Sequence, residues 1–337
     1  MKKRILYIGN DLTINSFTAT YISFFSKVLK KEGYNVRTAS NKSNKALRLL
    51  EMLGLIMRYH KSTDIVLIDT YGAMNFYYAF LVAKACQFYK LDYIPILHGG
   101  NLPDRLKKNK QFSKSLFGEA KMNVAPSLFL YDIFREAGFA NLQIIPNSIE
   151  LSKYPFKQRS TFGPKLLWVR RFQERYNPML AVKVLEKLRQ EYPDASLCMV
   201  GPEKDGTLGK CKAYAKEHNL PVRFTGKLRK KQWAKLSVDA DIFLNTTNID
   251  NTPISVIESM ALGLAVVSTD VGGMYFLIED KKDGVLVPEK EVEAMANAVR
   301  TLVEQPETAS KMTLQAREKV TGFDWEIVKV KWNQLLE

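Results

Sequence analysis

The feature that most constrains this chain is a repeated alternation. Short runs of β-branched, aromatic and aliphatic residues are separated by longer segments whose apolar residues recur at helical spacing. A strand covered by helices on both faces is apolar on both faces and reads as a continuous run, so the alternation predicts parallel strands joined by crossover helices. In the first half the runs fall at 5–8, 35–38, 65–68, 93–97, 122–124 and 143–145. Helical segments at 17–31, closed by Glu32-Gly33, and at 127–136, ending before Gly138, put glycine where helices stop. Residues 151–163 have no periodicity and contain Pro155 and Gly163, so they read as a linker. The alternation then restarts with runs at 165–169, 197–200, 222–225, 241–245, 265–268 and 284–287, and with helices at 178–190 and 255–262 among those between.

The predicted class is therefore α/β, with two Rossmann-like, doubly wound parallel-sheet domains at 1–150 and 164–322. A closing helix at 323–337 carries Trp325 and Trp332 on its apolar positions and, on spacing alone, reads as the last helix of the second domain. A length of 337 residues suits two domains, and a hydrophobic fraction of 46% suits packed cores. Doubly wound sheets bind ligands beyond the carboxyl ends of their strands, so two such units facing each other would enclose a central cleft for a nucleotide and an acceptor.

Cys86, Cys198 and Cys211 are odd in number, far apart and have no histidine close by in sequence, which suggests neither a disulfide framework nor a zinc site and fits a reduced, cytoplasmic setting. The opening Met-Lys-Lys-Arg precedes an apolar run too short for a secretory signal. The most apolar stretch, 74–96, is broken by Lys84, Lys90 and Asp92, so no membrane span is expected. Net charge is +15, and residues 1–150 hold 21 Lys+Arg against 11 Asp+Glu. Such a surplus favours polyanions without choosing among them.

The densest motif runs from Asp250 through Asn251, Thr252, Pro253, Ile254 and Ser255 to Glu258, then Ser-Met-Ala-Leu-Gly263, an apolar strand and Gly272-Gly273. Asn-Thr-Pro delivers the chain into a helix whose first amides lack intrahelical partners, an end that attracts phosphate. Glu258, about a turn in, could accept hydrogen bonds from ribose; an ordinary βα unit with a surface Asp and Glu explains the same residues. Asp239-Ala-Asp241 has the spacing of an acid-x-acid metal motif, but it precedes a strand, where a surface turn is the simpler reading, and no metal is expected.

Asp250, seven residues, Glu258, then Ser-Met-Ala-Leu-Gly and Ala-Val-Val-Ser-Thr, resembles the signature of glycosyltransferase family 4. That family comprises retaining enzymes with the two-domain GT-B fold, and it usually has Glu at the first acid. The resemblance extends to 166–178, where Arg171 matches an arginine on the donor diphosphate. Arg170 stands for a glycine there and Tyr176 for a lysine, which nominates Arg175 as a substitute cation. Gly226, Lys227 and Leu228 resemble the loop beside the nucleotide base, and His98, before Gly99-Gly100, matches a histidine facing the donor sugar. A glycine pair of the family falls at Ser16 and Phe17, for which Gly9 could serve, and the resemblance implies that the closing helix 323–337 packs back on the first domain.

The resemblance implies transfer of a sugar from a UDP or GDP sugar to a glycan or lipid-linked acceptor, without a cofactor. Asp250 would contact the sugar, Arg171 the diphosphate and Glu258 the ribose, with His98, Asp250 and Arg171 as catalytic residues. The alternatives are a sugar-nucleotide epimerase or hydrolase on the same fold, or a non-catalytic anion-binding protein. Residues 103–117 interleave Arg105, Lys107, Lys108, Lys110 and Lys114 with Leu106, Phe112, Leu116 and Phe117. This suits an anionic membrane at the inner face or a solvated loop-helix equally. Nucleic acid is not expected, since stacking platforms and binding motifs are missing.

Overall fold

Strand β1 (Arg4–Ile8) has four of its five residues buried and pairs in parallel on both sides, with β2 (Asn35–Ala39) and β3 (Ile65–Thr70). Strands β4 (Tyr93–Leu97), β5 (Asn123–Ala125) and β6 (Leu142–Ile144) complete a parallel sheet of order β2-β1-β3-β4-β5-β6. Burial follows position: β3 and β4 are buried at every residue, whereas edge strand β6 is half-buried throughout. Between β1 and β3 the sheet changes its direction of growth, which opens a crevice beyond those strand ends. The helix Leu128–Glu136 is capped by Ser127, whose hydroxyl accepts from the Leu130 amide at 3.3 Å.

The second sheet repeats the plan with β7 (Lys165–Val169), β8 (Ser196–Val200), β9 (Val222–Gly226), β10 (Ile242–Asn245), β11 (Ala265–Thr269) and β12 (Val285–Val287). Its order is β12-β11-β10-β7-β8-β9, so its switch point lies between β7 and β10. Trp168 is fully buried and its Nε1 donates to Thr246 Oγ1 at 2.9 Å, which satisfies the polar atom of the largest core side chain. Every expected run forms a strand, with ends displaced by a residue or two.

The computed structural model describes residues 2–11 and 20–337; Ser16, Phe17 and the start of the expected helix 17–31 lie outside them, and that helix is described as Tyr21–Lys31. One compact unit comprises Met1–Pro146 with Val328–Glu337, the other Asn147–Ile327. The expected linker, 151–163, therefore lies within the second unit. Tyr154, Arg159 and Phe162 are buried, and the Arg159 guanidinium donates to the carbonyls of Ser237 (2.7 Å), Ala240 (2.8 Å) and Gly263 (2.6 Å). Aperiodic backbone is anchored here by one buried cation whose donors are met by carbonyls. The last helix, Trp325–Leu336, spans the division; Trp332, in the first unit, is buried with its ring 4.5 Å from that of Phe25. Among the described residues no helix is long and apolar enough to cross a membrane.

Candidate functional site

In the second unit, the carboxyl ends of the strands carry the residues that the sequence singles out. After β7 and β10, which flank the switch point, come Arg170 and Arg171 and then Asp250, and Lys227 follows the edge strand β9. Gly272 and Gly273 close against this segment: a Cβ on Gly272 would stand 2.1 Å from the Asp250 carbonyl oxygen, and one on Gly273 2.3 Å from that of Asn251. Only glycine admits such an approach. Asn251, Thr252 and Pro253 are buried, and the Thr252 carbonyl accepts from Asn147 Nδ2 at 3.0 Å. The chain then enters the helix Ile254–Ala261, whose first turn has no side-chain cap; the Ser255 hydroxyl is buried there without a partner.

The two acids of the motif are both engaged. Asp250 pairs with Arg170, each about 17% exposed, and also accepts from its neighbour's amide, Asn251 N, at 2.9 Å. Glu258, expected to face a ligand, is 3% exposed; its Oε1 accepts from the Tyr154 hydroxyl at 2.6 Å and the Lys230 ammonium at 2.5 Å. Burial, and then the charge of Glu258, push the Tyr154 phenol far up, so it remains a donor. The helix turns Glu258 inward, toward the segment expected as a linker.

The cations divide differently. Arg170 and Arg175 lie over the Tyr176 ring, 5.0 and 5.3 Å from its centroid, so Tyr176 packs beneath two guanidinium groups where the family has a lysine. Arg171 is exposed, and among the described residues neither it nor Lys227 pairs with a carboxylate. The Lys227 ammonium is held below the ordinary lysine range by burial and, next, by the positive charge of Arg171. The two neighbouring cations concentrate positive charge at these strand ends. Gly226 has φ +67° and its carbonyl accepts from Gly201 N at 2.9 Å, while Leu228 packs on the unit's core. A hollow of about 230 Å³ between the starts of helices Pro178–Arg189 and Thr207–Glu217 is lined by Glu174, Asn177, Lys210 and Cys211, none of them an expected site residue.

Asp241 is tied to Arg159 at 3.2 Å and to the Gly163 amide at 3.0 Å, and the described residues contain no cluster of acids, His and Cys able to hold a metal.

In the first unit His98 follows β4. Its Nε2 lies 2.9 Å from Asp69 Oδ1, which also accepts from the Tyr7 hydroxyl at 2.6 Å. Gly9, considered above as a backbone platform, is instead covered by this carboxylate: a Cβ there would stand 2.6 Å from Asp69 Oδ2. The 103–117 stretch forms the helices Leu102–Lys108 and Lys110–Gly118. Leu106, Leu116 and Phe117 are core residues, Arg105 donates to the Gly72 carbonyl at 2.6 Å, and Phe112 and the four lysines are exposed, as are Asp104 and Gln111. Its apolar stripe is thus largely used by the unit's own core.

Sequence reasoning passed over Tyr7, Asp69, Tyr154 and Lys230. Asp69 carried a signal, a lone acid ending the apolar run Ile-Val-Leu-Ile at 65–68.

Comparison with known proteins gives a consistent picture. Glycogen synthase of Mycobacterium tuberculosis (strain ATCC 25618 / H37Rv) is 27% identical over 198 residues, covering 57% of this chain and 47% of its own. Phosphatidyl-myo-inositol mannosyltransferase of Mycolicibacterium smegmatis is 24% identical over 199 residues, 57% of this chain and 51% of its own. The chain thus matches about half the length of these relatives. The crystal structure of Anabaena Alr3699/HepE in complex with UDP and glucose shares the fold, GT-B, with a TM-score of 0.81 over 99% of both chains at 16% identity. The family model for glycosyl transferases group 1 matches residues 153–319. Residues 153–319, with Arg171 and Lys227 at their strand ends, thus form a glycosyl transferases group 1 domain.

Proposed function

We propose that this chain transfers a sugar from a nucleotide diphosphate donor to a glycan or lipid-linked acceptor, with retention of anomeric configuration. The observation that carries the reading is the acid-free pair Arg171 and Lys227 at the strand ends of the second unit. As the glycosidic bond breaks, negative charge grows on the departing diphosphate, and fixed cations stabilise that charge more than they stabilise the ground state. The uncapped start of Ile254–Ala261 adds amide dipoles of the same sign.

Asp250 and Glu258 are occupied by Arg170 and by Tyr154 with Lys230, which favours front-face attack assisted by the leaving phosphate over a carboxylate nucleophile. Arg170 precedes Arg171 at the end of β7 and is held by Asp250, and we assign it rather than Arg175 the place of the missing second cation. His98 meets substrate from the first unit. UDP, which the Anabaena protein binds, is the first donor base to test and GDP the second. The exposed Lys107, Lys108, Lys110 and Lys114 would supply an electrostatic contact with anionic lipid at the inner membrane face.

A thermal-shift screen across UDP-, GDP- and ADP-sugars tests the reading: one base class should raise the melting temperature by several degrees at concentrations far above its Kd. No shift with any of them contradicts it. Arginine, lysine and a helix start can neutralise a diphosphate without a divalent ion, so transfer should persist in EDTA; loss of activity restored by manganese would contradict that assignment.

A further inference from the structure

Tyr7, Asp69 and His98 come from three strands or strand ends and meet in the interior of the first unit. Asp69 is 7% exposed and Tyr7 fully buried, and the His98 side chain is 6% exposed. A buried phenol cannot readily ionise, and burial, followed by the charge of Asp69, pushes the Tyr7 hydroxyl well up. Tyr7 therefore donates, and Asp69 Oδ1 accepts. That same oxygen lies 2.9 Å from His98 Nε2, so an ionised Asp69 requires a proton on Nε2. The ring is oriented by two further side chains. Tyr71 stacks on it at 5.1 Å and 25°, and Tyr21 meets it edge-on at 4.7 Å and 61°. Among the described residues Asp69 is the charged group hydrogen-bonded to the imidazole; the other groups packed on it are these two phenols.

We propose that Asp69, backed by Tyr7, is a positioning residue for His98, fixing the proton on Nε2 and leaving Nδ1 to meet substrate. This rests on the transfer reading for the role of His98. With Nε2–H committed to a carboxylate, Nδ1 accepts from a substrate hydroxyl when the ring is neutral. It donates to a developing anion when the ring is charged, and Asp69 then neutralises the cation. Gly9 belongs to the device, because a side chain there would displace the Asp69 carboxylate.

The chain has three histidines, so the ring nitrogens of His98 can be followed by ¹⁵N NMR. In the native protein Nε2 should be the protonated nitrogen. In Tyr7→Phe/Asp69→Leu, apolar side chains of similar shape replace both the phenol and the carboxylate, so neither is left stranded. That variant should melt as a folded protein, show a mixture of tautomers, and release UDP from UDP-glucose, or GDP from GDP-mannose, about 10²-fold more slowly with little change in KM. Tyr7→Phe alone, which keeps the carboxylate but removes its second donor, should lose rate and tautomer purity to a smaller degree than the double variant. A native proton on Nδ1, an unchanged tautomer in the double variant, or an unchanged rate after the tautomer is lost would overturn the proposal. A native protein that holds the Nε2 proton but releases no nucleotide from any donor sugar would count against the transfer reading and leave the hold of Asp69 on the ring supported.

Discussion

The carboxyl ends of the two sheets handle charge in opposite ways. In the first unit, an acid is buried behind a histidine and satisfied by a phenol, so the strand ends present a single oriented ring. In the second, both acids of the motif are engaged by cations or phenols of the same unit, and among the described residues two further cations, Arg171 and Lys227, pair with no acid. One end holds an imidazole in place through a buried acid; the other leaves positive charge near its surface. Glu258 and Asp250, the most prominent acids in the sequence, thus have partners within their own unit, while among the described residues the less prominent Arg171 and Lys227 pair with no carboxylate.

The largest effect expected from this contrast is on rate. Arg171→Ala should lower kcat for sugar transfer by about 10²-fold with a smaller change in KM, because its partner charge appears as the sugar leaves. Steady-state kinetics in which only KM rises would make Arg171 a uniform binder. Next comes stability. Glu258→Ala removes the acceptor of a buried phenol and the partner of Lys230, and should destabilise the second unit by about 1–3 kcal/mol, a few degrees in Tm. Glu258→Gln keeps an acceptor and should lose less. If Glu258→Ala melts like the native protein yet binds donor tenfold more weakly, the side chain faces ligand and the contrast breaks.

A smaller effect is the pH dependence of nucleotide binding. A bound diphosphate favours the protonated form of Lys227, whose proton is lost at lower pH than that of an ordinary lysine. Binding is then linked to proton uptake, so UDP affinity should fall as pH rises through that depressed range. Lys227→Arg should flatten the profile; calorimetric titration at several pH values measures both. The smallest effect concerns the first unit's surface: Lys107, Lys108 and Lys110→Gln should weaken co-sedimentation with anionic vesicles and leave activity on a soluble acceptor intact. High salt should mimic the change, since the attraction decays over roughly 8–10 Å. Equal sedimentation of variant and native protein would show that these lysines are a solvated surface.

The strands were legible because burial on both faces leaves an unbroken apolar run, and both helix-stop glycines and the Asp250-to-Glu258 spacing survive in one dimension. The partners of the acids were not. Tyr154 reaches Glu258 across 104 residues and Arg170 reaches Asp250 across 80, and nothing in local periodicity announces such pairs. The segment 151–163 looked like a linker because its anchors, Tyr154 and Arg159, are polar residues that act by hydrogen bonding at long range. The basic stretch looked amphipathic, and it is, but its apolar side serves the core.

The account stands most directly on the cation pair beyond β7 and β9. Calorimetric titration of UDP and of GDP into the native protein and into Arg171→Ala/Lys227→Ala measures it. The native protein should bind one of the two nucleotides in a salt-sensitive manner, and the double variant, with its fold verified by an unchanged melting temperature, should lose at least tenfold in affinity. Binding of equal strength in both proteins, or no binding of either nucleotide to the native protein, would contradict a diphosphate site at these residues.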